Sequence, residues 1–210
     1  MTVPISGPPR LTARGRATRA RIVESASDLM YLHGVGGTSL DEVMAASGTS
    51  KSQLYHYFTD KDALVAEVIA AQTSRVLAAH EPYLREVDSL AGLRRWRDAI
   101  VEMNRASSGI GGCPIGSLAS ELVERSEHAR VLLTASFGSW QSRLVDGLQV
   151  MRDSGELDPA ADPGDLATAI MSALQGGLLL AQTTRSSRPL ELALDMALRY
   201  VGDHQPASTP

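Results

Sequence analysis

The chain of 210 residues contains little cysteine and few aromatic residues. Cys113 is the single cysteine, which excludes a disulfide within the chain and a zinc site built from several thiolates. Aromatic residues make up 4% of the sequence, which argues against a large aromatic cage around a ligand. Such cysteine usage is typical of a reducing compartment, so we expect a cytoplasmic protein.

The sequence also lacks the short motifs that mark common catalytic sites. It contains no Gly-x-Ser-x-Gly elbow, no Walker loop and no His-Glu-x-x-His pair. The pair Gly109 and Gly111 lacks the third glycine of a dinucleotide fingerprint, and the five histidines are scattered. We therefore expect no enzyme, no cofactor and no metal site.

No segment has the pattern of a targeting or membrane-anchoring sequence. The first nine residues are rich in Pro, Gly and Ser and contain no apolar stretch of signal-peptide length. The longest uncharged run, between Asp165 and Arg185, is long enough to span a bilayer, but Ser, Thr and Gln residues interrupt it. We interpret this run as a buried helix of a soluble protein and predict no membrane partner.

Charge is distributed unevenly along the chain, although the net charge is only -4. Residues 1–61 contain seven basic and five acidic side chains, whereas residues 62–210 contain thirteen and nineteen. The first five ionisable side chains are all arginines, at positions 10, 14, 16, 19 and 21. We predict a disordered basic arm over residues 1–16, a first domain over 17–61, a second domain over 62–203 and a flexible tail over 204–210.

Almost every long segment has apolar residues at helical spacing, which predicts an all-α fold. The first predicted helix ends at Gly34, and the capping patterns Ser39–Glu42 and Ser50–Gln53 begin two short helices. A fourth helix begins near residue 60 and runs to about Ala79. Further helices are predicted around residues 90–103, 114–124, 131–151, 166–184 and 190–201.

The two short helices are joined by a turn that contains Gly48. Helices joined in this way form a helix-turn-helix, whose second helix enters the major groove of DNA. The second helix opens with polar side chains that donate hydrogen bonds: Ser50, Lys51, Ser52, Gln53, Tyr55 and His56. Because side chains of these types bind base edges and phosphate oxygens, the motif predicts DNA binding.

The segments Gly34–Val43 and Gly48–Leu64 resemble the DNA-binding domain of TetR-type (TetR/AcrR) transcriptional repressors, in residue types and in order. The resemblance covers residues 16–69. It implies an all-helical homodimer in which three N-terminal helices bind a DNA operator, a fourth helix connects and a C-terminal domain binds a small inducer. It also implies that the last two helices of each subunit form a four-helix bundle between subunits.

The resemblance assigns contacts with DNA to residues of the helix-turn-helix. The implied phosphate contacts are Thr38, Ser39, Thr49, Tyr55, His56 and Lys61, and the implied base contacts are Lys51, Ser52 and Gln53, next to Ser50. Gln53 has a second interpretation, because it stands where it can close a capping box with Ser50. The arginines of the arm also have two interpretations. Either they contact DNA, in the flanking minor groove or along the backbone, or they only add charge.

The sequence defines the ligand site less well. An apolar cavity is predicted among Trp96, Met103, Phe137, Trp140, Met171 and Leu178, with Asn104, Gln141 and Gln175 as polar contacts. Ordinary core packing is the alternative for each of these residues. We expect an uncharged or weakly polar organic effector.

Cys113 and the segment around it leave two alternatives open. The segment Gly111–Ala119 resembles that of one TetR subgroup, in which a Gly-Cys-x-x-Gly pattern opens the sixth helix. One alternative is a redox or electrophile sensor, since a helix N-terminus lowers the pKa of a thiol. The other is a buried small side chain without reactivity. For the whole chain, a helical ligand-binding protein without DNA binding is a further alternative, against which the complete donor set of the second short helix argues.

Overall fold

The structure, a computed structural model, describes residues 11–206. This part of the chain contains nine α-helices and no β-strand. The helices are α1 (Ala13–His33), α2 (Leu40–Ser47), α3 (Lys51–Tyr57), α4 (Lys61–Leu84), α5 (Leu90–Ala106), α6 (Pro114–Leu122), α7 (Glu127–Asp153), α8 (Pro163–Thr184) and α9 (Arg188–Gly202). The predicted all-α fold is confirmed, and each predicted helix is present close to its expected bounds.

Side-chain caps define where most of the helices begin. Both predicted capping boxes are present, Ser39 with Glu42 at α2 and Ser50 with Gln53 at α3. The carboxylate of Asp162 caps α8 by accepting hydrogen bonds from two backbone N–H groups of its first turn. These caps bind N–H groups that have no partner within the helix, so short local sequences determine the helix starts.

The chain divides into two compact units, and the division falls inside α4 between Ala71 and Gln72. The core of the first unit contains apolar side chains from four helices: Ile22, Ala26, Val43, Leu54, Leu64 and Val68. Because the first turns of α4 contribute to this core, the first unit extends about ten residues beyond the boundary predicted at residue 61.

The predicted basic arm overlaps the first helix. Helix α1 begins at Ala13, and the hydroxyl of Thr12 caps it by accepting from the N–H of Gly15 at 3.1 Å. Arg14 and Arg16 are therefore helical residues with exposed side chains, and the prediction of disorder is wrong for residues 13–16. Residues 1–10 lie outside the described part of the chain.

Two further arginines of α1 bind within the first unit. Arg19 Nη2 lies 2.6 Å from Glu67 Oε1 on α4, and its guanidinium lies 5.3 Å from the centre of the Phe58 ring. Arg21 Nε donates to the backbone carbonyl of Ser47, at the end of α2, at 2.7 Å. These two side chains hold α1 to its neighbouring helices, so their charge stabilises the unit.

The second unit contains the rest of α4 and helices α5–α9. Helix α8 packs on α7 and α9, and α9 also packs on α5. A Cβ at Gly177 of α8 would lie 2.9 Å from the Cα of Leu190, so the close packing of α8 on α9 requires glycine there. Trp96 and Trp140, the two tryptophans of the chain, are buried in this unit.

Helix α8 is long and apolar enough to cross a membrane by length and composition alone. Its side chains Leu166, Ile170 and Leu174 are at most 1% exposed. They pack inside the second unit, as expected for a core helix.

The predicted flexible tail begins with an ordered residue. The backbone N–H of Asp158 donates to the carbonyl of His204 at 2.7 Å, which attaches the end of α9 to the segment before α8. Residues 207–210 of the predicted tail lie outside the described part of the chain.

Candidate functional site

The turn between α2 and α3 has a backbone conformation that favours glycine. Gly48 follows the end of α2 with φ 61° and ψ 37°, in the left-handed region. Its N–H donates to the carbonyl of Ala45, and Ser50, the N-cap of α3, follows only two residues later. The two helices thus meet at a tight turn, as in a helix-turn-helix.

Gln53 closes the capping box of α3. Its Oε1 accepts from the backbone N–H of Ser50 at 2.9 Å, and its own backbone N–H donates to Ser50 Oγ at 3.3 Å. The side-chain carbonyl of Gln53 therefore serves the capping box, which is the second of its two interpretations. Its Nε2 group remains as a hydrogen-bond donor.

The start of α3 presents a continuous polar surface. Lys51, Ser52, Gln53, Tyr55 and His56 are all exposed. Leu54 is buried in the first unit, and no acidic side chain lies in the first turn of the helix. We call these five exposed residues the α3 surface; it combines one cation with several hydrogen-bond donors, which suits a nucleic-acid groove.

Two of the predicted phosphate contacts are buried side chains. Thr38 is 1% exposed, and its hydroxyl donates to the carbonyl of Gly34 at 2.8 Å. Thr49 is 8% exposed, and its hydroxyl lies 2.8 Å from that of Ser47. Both hydroxyl groups bond within the turns next to α2, and this burial disfavours the predicted contact of these side chains with phosphate.

Two other predicted phosphate contacts already have partners within the first unit. Ser39 Oγ accepts from the Glu42 N–H and donates to Glu42 Oε2 at 2.8 Å. The backbone N–H of Ser39 donates to the same carboxylate at 2.7 Å, and this bond, followed by that from the hydroxyl, lowers the pKa of Glu42. Lys61 Nζ donates to the carbonyl of Val35 at 2.6 Å. Ser39 is exposed and Lys61 half-buried, and the ammonium of Lys61 has further N–H groups to donate.

A cavity of about 150 Å³ lies within the second unit. Residues of five helices and of the segment before α6 line it: Val76, His80, Ile100, Met103, Asn104, Ser107, Ile110, Gly112, Cys113, Pro114, Trp140 and Leu178. None of these side chains carries a full charge, because the one titratable imidazole, that of His80, has a pKa lowered to about 4 by burial. The cavity therefore suits an uncharged ligand.

A larger groove of about 520 Å³ in the same unit is lined by three arginines and three aspartates, with few apolar residues. Arg97 lies 2.8 Å from both Asp98 and Asp195. Because charged side chains line this groove, the smaller cavity is the better candidate for an uncharged organic ligand.

The structure brings together four of the nine predicted ligand contacts: Met103, Asn104, Trp140 and Leu178. Trp96 is buried in the core beside His80, and Met171 is buried elsewhere in the core. Gln141 Nε2 donates to Thr168 Oγ1 at 2.8 Å, and neither Phe137 nor Gln175 lines the cavity. These five residues do not line this cavity, so their contact with a ligand stays a prediction.

His80 is the functional candidate that the sequence does not reveal. It lies on α4 one turn after Val76, and its ring packs edge-on against Trp140 with ring centres 4.7 Å apart. The sequence around a single histidine does not show that its ring is buried. Its spacing of four residues from Val76 indicates only that the two side chains lie on the same face of α4.

The burial of His80 predicts a pH dependence of stability. Its pKa falls from 6.5 to about 4 in the folded chain, so between these values the unfolded chain binds a proton that the folded chain does not. The free energy of unfolding should therefore decrease as the pH falls, by about 2 kcal/mol between pH ~7 and pH ~4.5. Denaturant unfolding of the wild type and of His80→Gln at both pH values measures this, and an equal decrease in both proteins would contradict it.

The segment between α5 and α6 packs closely on the end of α8. Gly109 has φ 67° and Gly112 has φ 60°. A Cβ on Gly109 would lie 2.9 Å from the carbonyl oxygen of Ala181, and one on Gly112 would lie 2.5 Å from Gln182 Oε1. Since Gly112 also lines the cavity, this segment connects the cavity wall to α8.

Cys113 forms part of the cavity wall and caps α6. It is 8% exposed, and its Sγ accepts from the N–H of Gly116 at 3.4 Å. Burial raises the pKa of the thiol, although the hydrogen bond from the backbone N–H of Gly116 opposes this. The thiol is therefore protonated at neutral pH, which disfavours the thiolate reaction that a redox sensor requires.

A row of apolar side chains on α9 is exposed. Leu192, Met196 and Tyr200 are 48%, 59% and 45% exposed, and their spacing of four residues places them on one face. On α8, Leu179 and Leu180 are 62% and 55% exposed. An apolar surface of this kind commonly marks a protein interface.

Two family models match the chain. Residues 22–68 match the model described as bacterial regulatory proteins of the tetR family. Residues 89–196, about half of the chain, match the model described as the C-terminal domain of LmrA/YxaF-like transcriptional regulators.

Similar proteins extend these matches over most of the chain. An HTH-type regulator from the lacX 3′ region of Lactococcus lactis is 29% identical over 86% of this chain and 91% of its own length. The HTH-type regulator YxaF from Bacillus subtilis is 29% identical over 87% and 93%. The crystal structure of a TetR-family regulator from Cytophaga hutchinsonii, with 18% identity and a TM-score of 0.83, covers 95% of this chain and 100% of the other. The chain therefore belongs to the TetR family of bacterial transcriptional regulators, and its C-terminal domain is of the LmrA/YxaF-like type.

Proposed function

We propose that this regulator is a cytoplasmic repressor that binds a roughly palindromic operator as a homodimer and dissociates when an uncharged effector occupies the cavity. The observation that carries the proposal is the α3 surface, which is exposed, polar and free of acidic side chains. A catalytic function has no comparable support, because the similar proteins are regulators.

The α3 surface supports readout of the major groove. Lys51 reaches a guanine or a phosphate, and Ser52 and the Nε2 group of Gln53 donate to base edges. Tyr55 and His56, one turn further along, suit phosphate oxygens. Among the remaining predicted contacts, Ser50 and Ser39 contribute exposed hydroxyls and Lys61 contributes its charge.

The exposed apolar faces of α8 and α9 support the homodimer. A twofold dimer places two recognition helices one turn of B-DNA apart, about 34–36 Å, so each reads one half of the operator. The apolar row of α9 and the leucines of α8 are the surfaces that a second copy would cover in a four-helix bundle.

Helix α4 supports a connection between effector and DNA. Its first turns belong to the core of the first unit, and its residues Val76 and His80 line the cavity. An effector that prefers one position of α4 shifts the population between DNA-binding and released states, by no more than its difference in affinity for the two.

Operator binding is tested with DNA from the region upstream of the gene that encodes this chain. Fluorescence anisotropy of labelled fragments should show specific binding that weakens steeply with salt. An affinity that stays constant from low to moderate salt would contradict the proposed phosphate contacts.

The variant Lys51→Ala should bind the operator about 10- to 100-fold more weakly than the wild type. Lys51 is the cation of the α3 surface, and the loss of one such contact costs about 1–3 kcal/mol. If Lys51 contacts phosphate, the slope of log affinity against log salt should also decrease by about one. Arg85→Ala removes one positive charge from an exposed side chain directly after α4 and is the matched control. Equal losses in both variants would contradict the assignment.

A further inference from the structure

The capping box of α3 fixes the orientation of the side-chain amide of Gln53. Its Oε1 accepts from the backbone N–H of Ser50 at 2.9 Å. A backbone N–H can only donate, so the oxygen of the amide, and not its nitrogen, must face this group. Because Gln53 is exposed, its NH₂ group is the free end of the side chain and offers two N–H donors to a bound molecule.

This orientation limits how Gln53 reads a base. A glutamine whose whole amide is free binds adenine with both ends, because its oxygen accepts from N6 while its nitrogen donates to N7. In Gln53 the oxygen already binds the cap, and its release would leave the N–H of Ser50 without a partner within the helix. The side chain therefore meets a base edge as a donor only.

Guanine is the base whose major-groove edge suits a pure donor best. It presents two neighbouring acceptors, O6 and N7. Thymine presents one acceptor beside a methyl group, adenine presents one beside an amino group, and cytosine presents only an amino group. The two N–H groups of one amide nitrogen can therefore both be used on guanine and on no other base.

The rest of the first turn of α3 has the same donor character. The ammonium of Lys51 has three N–H groups and no acceptor. Helix α3 contains no acidic side chain, so no carboxylate of this helix accepts from the amino group of cytosine or adenine. Ser52 Oγ lies 3.1 Å from Ser50 Oγ, so this hydroxyl bonds to the cap as well. The start of α3 thus favours bases that accept.

We infer that Gln53 reads a guanine in each half of the operator, by donation from Nε2 to O6 and N7 in the major groove. This inference rests on the proposed function, because it names the base that the α3 surface selects. Gln53 is then a specificity-determining residue, and the hydrogen bond between its Oε1 and Ser50 positions the group that reads the base.

Selection of bound sequences from a library of random double-stranded DNA tests the inference with the full-length protein. The wild type should enrich a roughly palindromic sequence that has a G·C pair at an equivalent position of each half. This preference should depend on residue 53. Enrichment of an A·T pair at the position that depends on residue 53 would overturn the inference, because an adenine requires the oxygen of the amide as well as its nitrogen.

The variant Gln53→Glu separates base reading from capping. Glutamate closes the capping box as glutamine does, but a carboxylate replaces the NH₂ donor by an acceptor. The wild type should bind DNA with the G·C pair at least about tenfold more tightly than DNA with an A·T pair there, and in Gln53→Glu this ratio should fall to about one or below. The ratio excludes the general repulsion between the new charge and DNA.

Two controls accompany this variant. Its free energy of unfolding should equal or exceed that of the wild type, because the capping box remains and a negative charge in the first turn stabilises a helix. Tyr55→Phe removes another hydroxyl donor of the α3 surface and should lower affinity for both DNA sequences alike. A normal ratio in Gln53→Glu would show that Gln53 only caps α3 and would overturn the inference.

Modified bases in the operator identify the atoms of the contact. 7-Deazaguanine lacks the N7 acceptor, whereas hypoxanthine keeps O6 and N7 and lacks only the amino group of the minor groove. Replacement of the guanine by 7-deazaguanine should weaken the wild type at least about threefold and leave Gln53→Glu unchanged. Replacement by hypoxanthine should change neither protein. A loss with hypoxanthine, or none with 7-deazaguanine, would contradict donation to the major-groove edge.

The selection also distinguishes failure of this inference from failure of the proposed function. An enriched palindrome without a guanine that depends on residue 53 would retain the DNA-binding function and contradict the reading of guanine. A library from which no sequence is enriched would contradict the proposed function and the inference with it.

Discussion

The double replacement Leu192→Glu with Met196→Glu should leave the protein monomeric and nearly abolish operator binding. Both side chains belong to the exposed apolar row of α9, which we propose packs against a second copy. A carboxylate buried without a partner costs several kcal/mol, and twofold symmetry places each substitution in the interface twice. The dissociation constant of the dimer should rise at least about 1000-fold and operator affinity should fall at least about 100-fold.

Sedimentation equilibrium measures the dimer, and fluorescence anisotropy measures operator binding. The matched control is Val131→Glu with Val150→Glu, since these side chains of α7 are 51% and 50% exposed and lie outside α8 and α9. The control should remain dimeric. A dimeric Leu192/Met196 double variant with normal operator affinity would show that the subunits associate through another surface.

The replacement Gly147→Ala should destabilise the chain by about 2–4 kcal/mol. Gly147 lies in the last third of α7, and a Cβ there would overlap the carbonyl oxygen of Val87 and lie 2.8 Å from the carbonyl carbon. Val87 is 1% exposed and belongs to the connection between α4 and α5. Because the clash is with backbone, a rotamer change of one side chain cannot relieve it, and the helix and the connection must move apart.

Gly138→Ala on the same helix is the matched control. A Cβ at Gly138 meets no atom within 4 Å, so the change should raise the free energy of unfolding by up to about 1 kcal/mol through helix propensity. Urea unfolding curves compare the two variants. Similar stabilities for both would show that the packing of α7 on Val87 tolerates a methyl group.

Local sequence signals predict the start and the end of helices well. Ser39, Ser50 and Gly48 act within a few residues of their own positions, through capping boxes and a left-handed turn. The whole helix-turn-helix was therefore predictable, including the exposed polar start of α3.

Burial depends on packing between distant segments, which the sequence does not report. Thr38 and Thr49 have the residue types of phosphate contacts, yet both lie in tight turns beneath the surface of the first unit. Arg19 and Arg21 belong to the run of five arginines at the start of the chain, and their partners Glu67 and Ser47 lie more than twenty residues away. Composition predicts the charge of a segment and leaves its pairing undetermined.

The residues that line the cavity were predicted only in part, for the same reason. Its wall combines residues from five helices and the segment before α6, so no single stretch of sequence contains the pattern. Met103, Asn104, Trp140 and Leu178 were found by residue type, whereas His80 required knowledge of which side of α4 faces Trp140.

If the protein is engineered as a biosensor, the positions in the segment between α5 and α6 differ in the substitutions that they tolerate. Ile110 borders the cavity and is 62% exposed, so a library of side chains at this position would alter the entrance at little cost in folding. Gly109 and Gly112 tolerate no such variation, because their positive φ values and their contacts with α8 both require glycine. Randomising the whole segment would produce mostly misfolded clones and would hide the useful variants at residue 110.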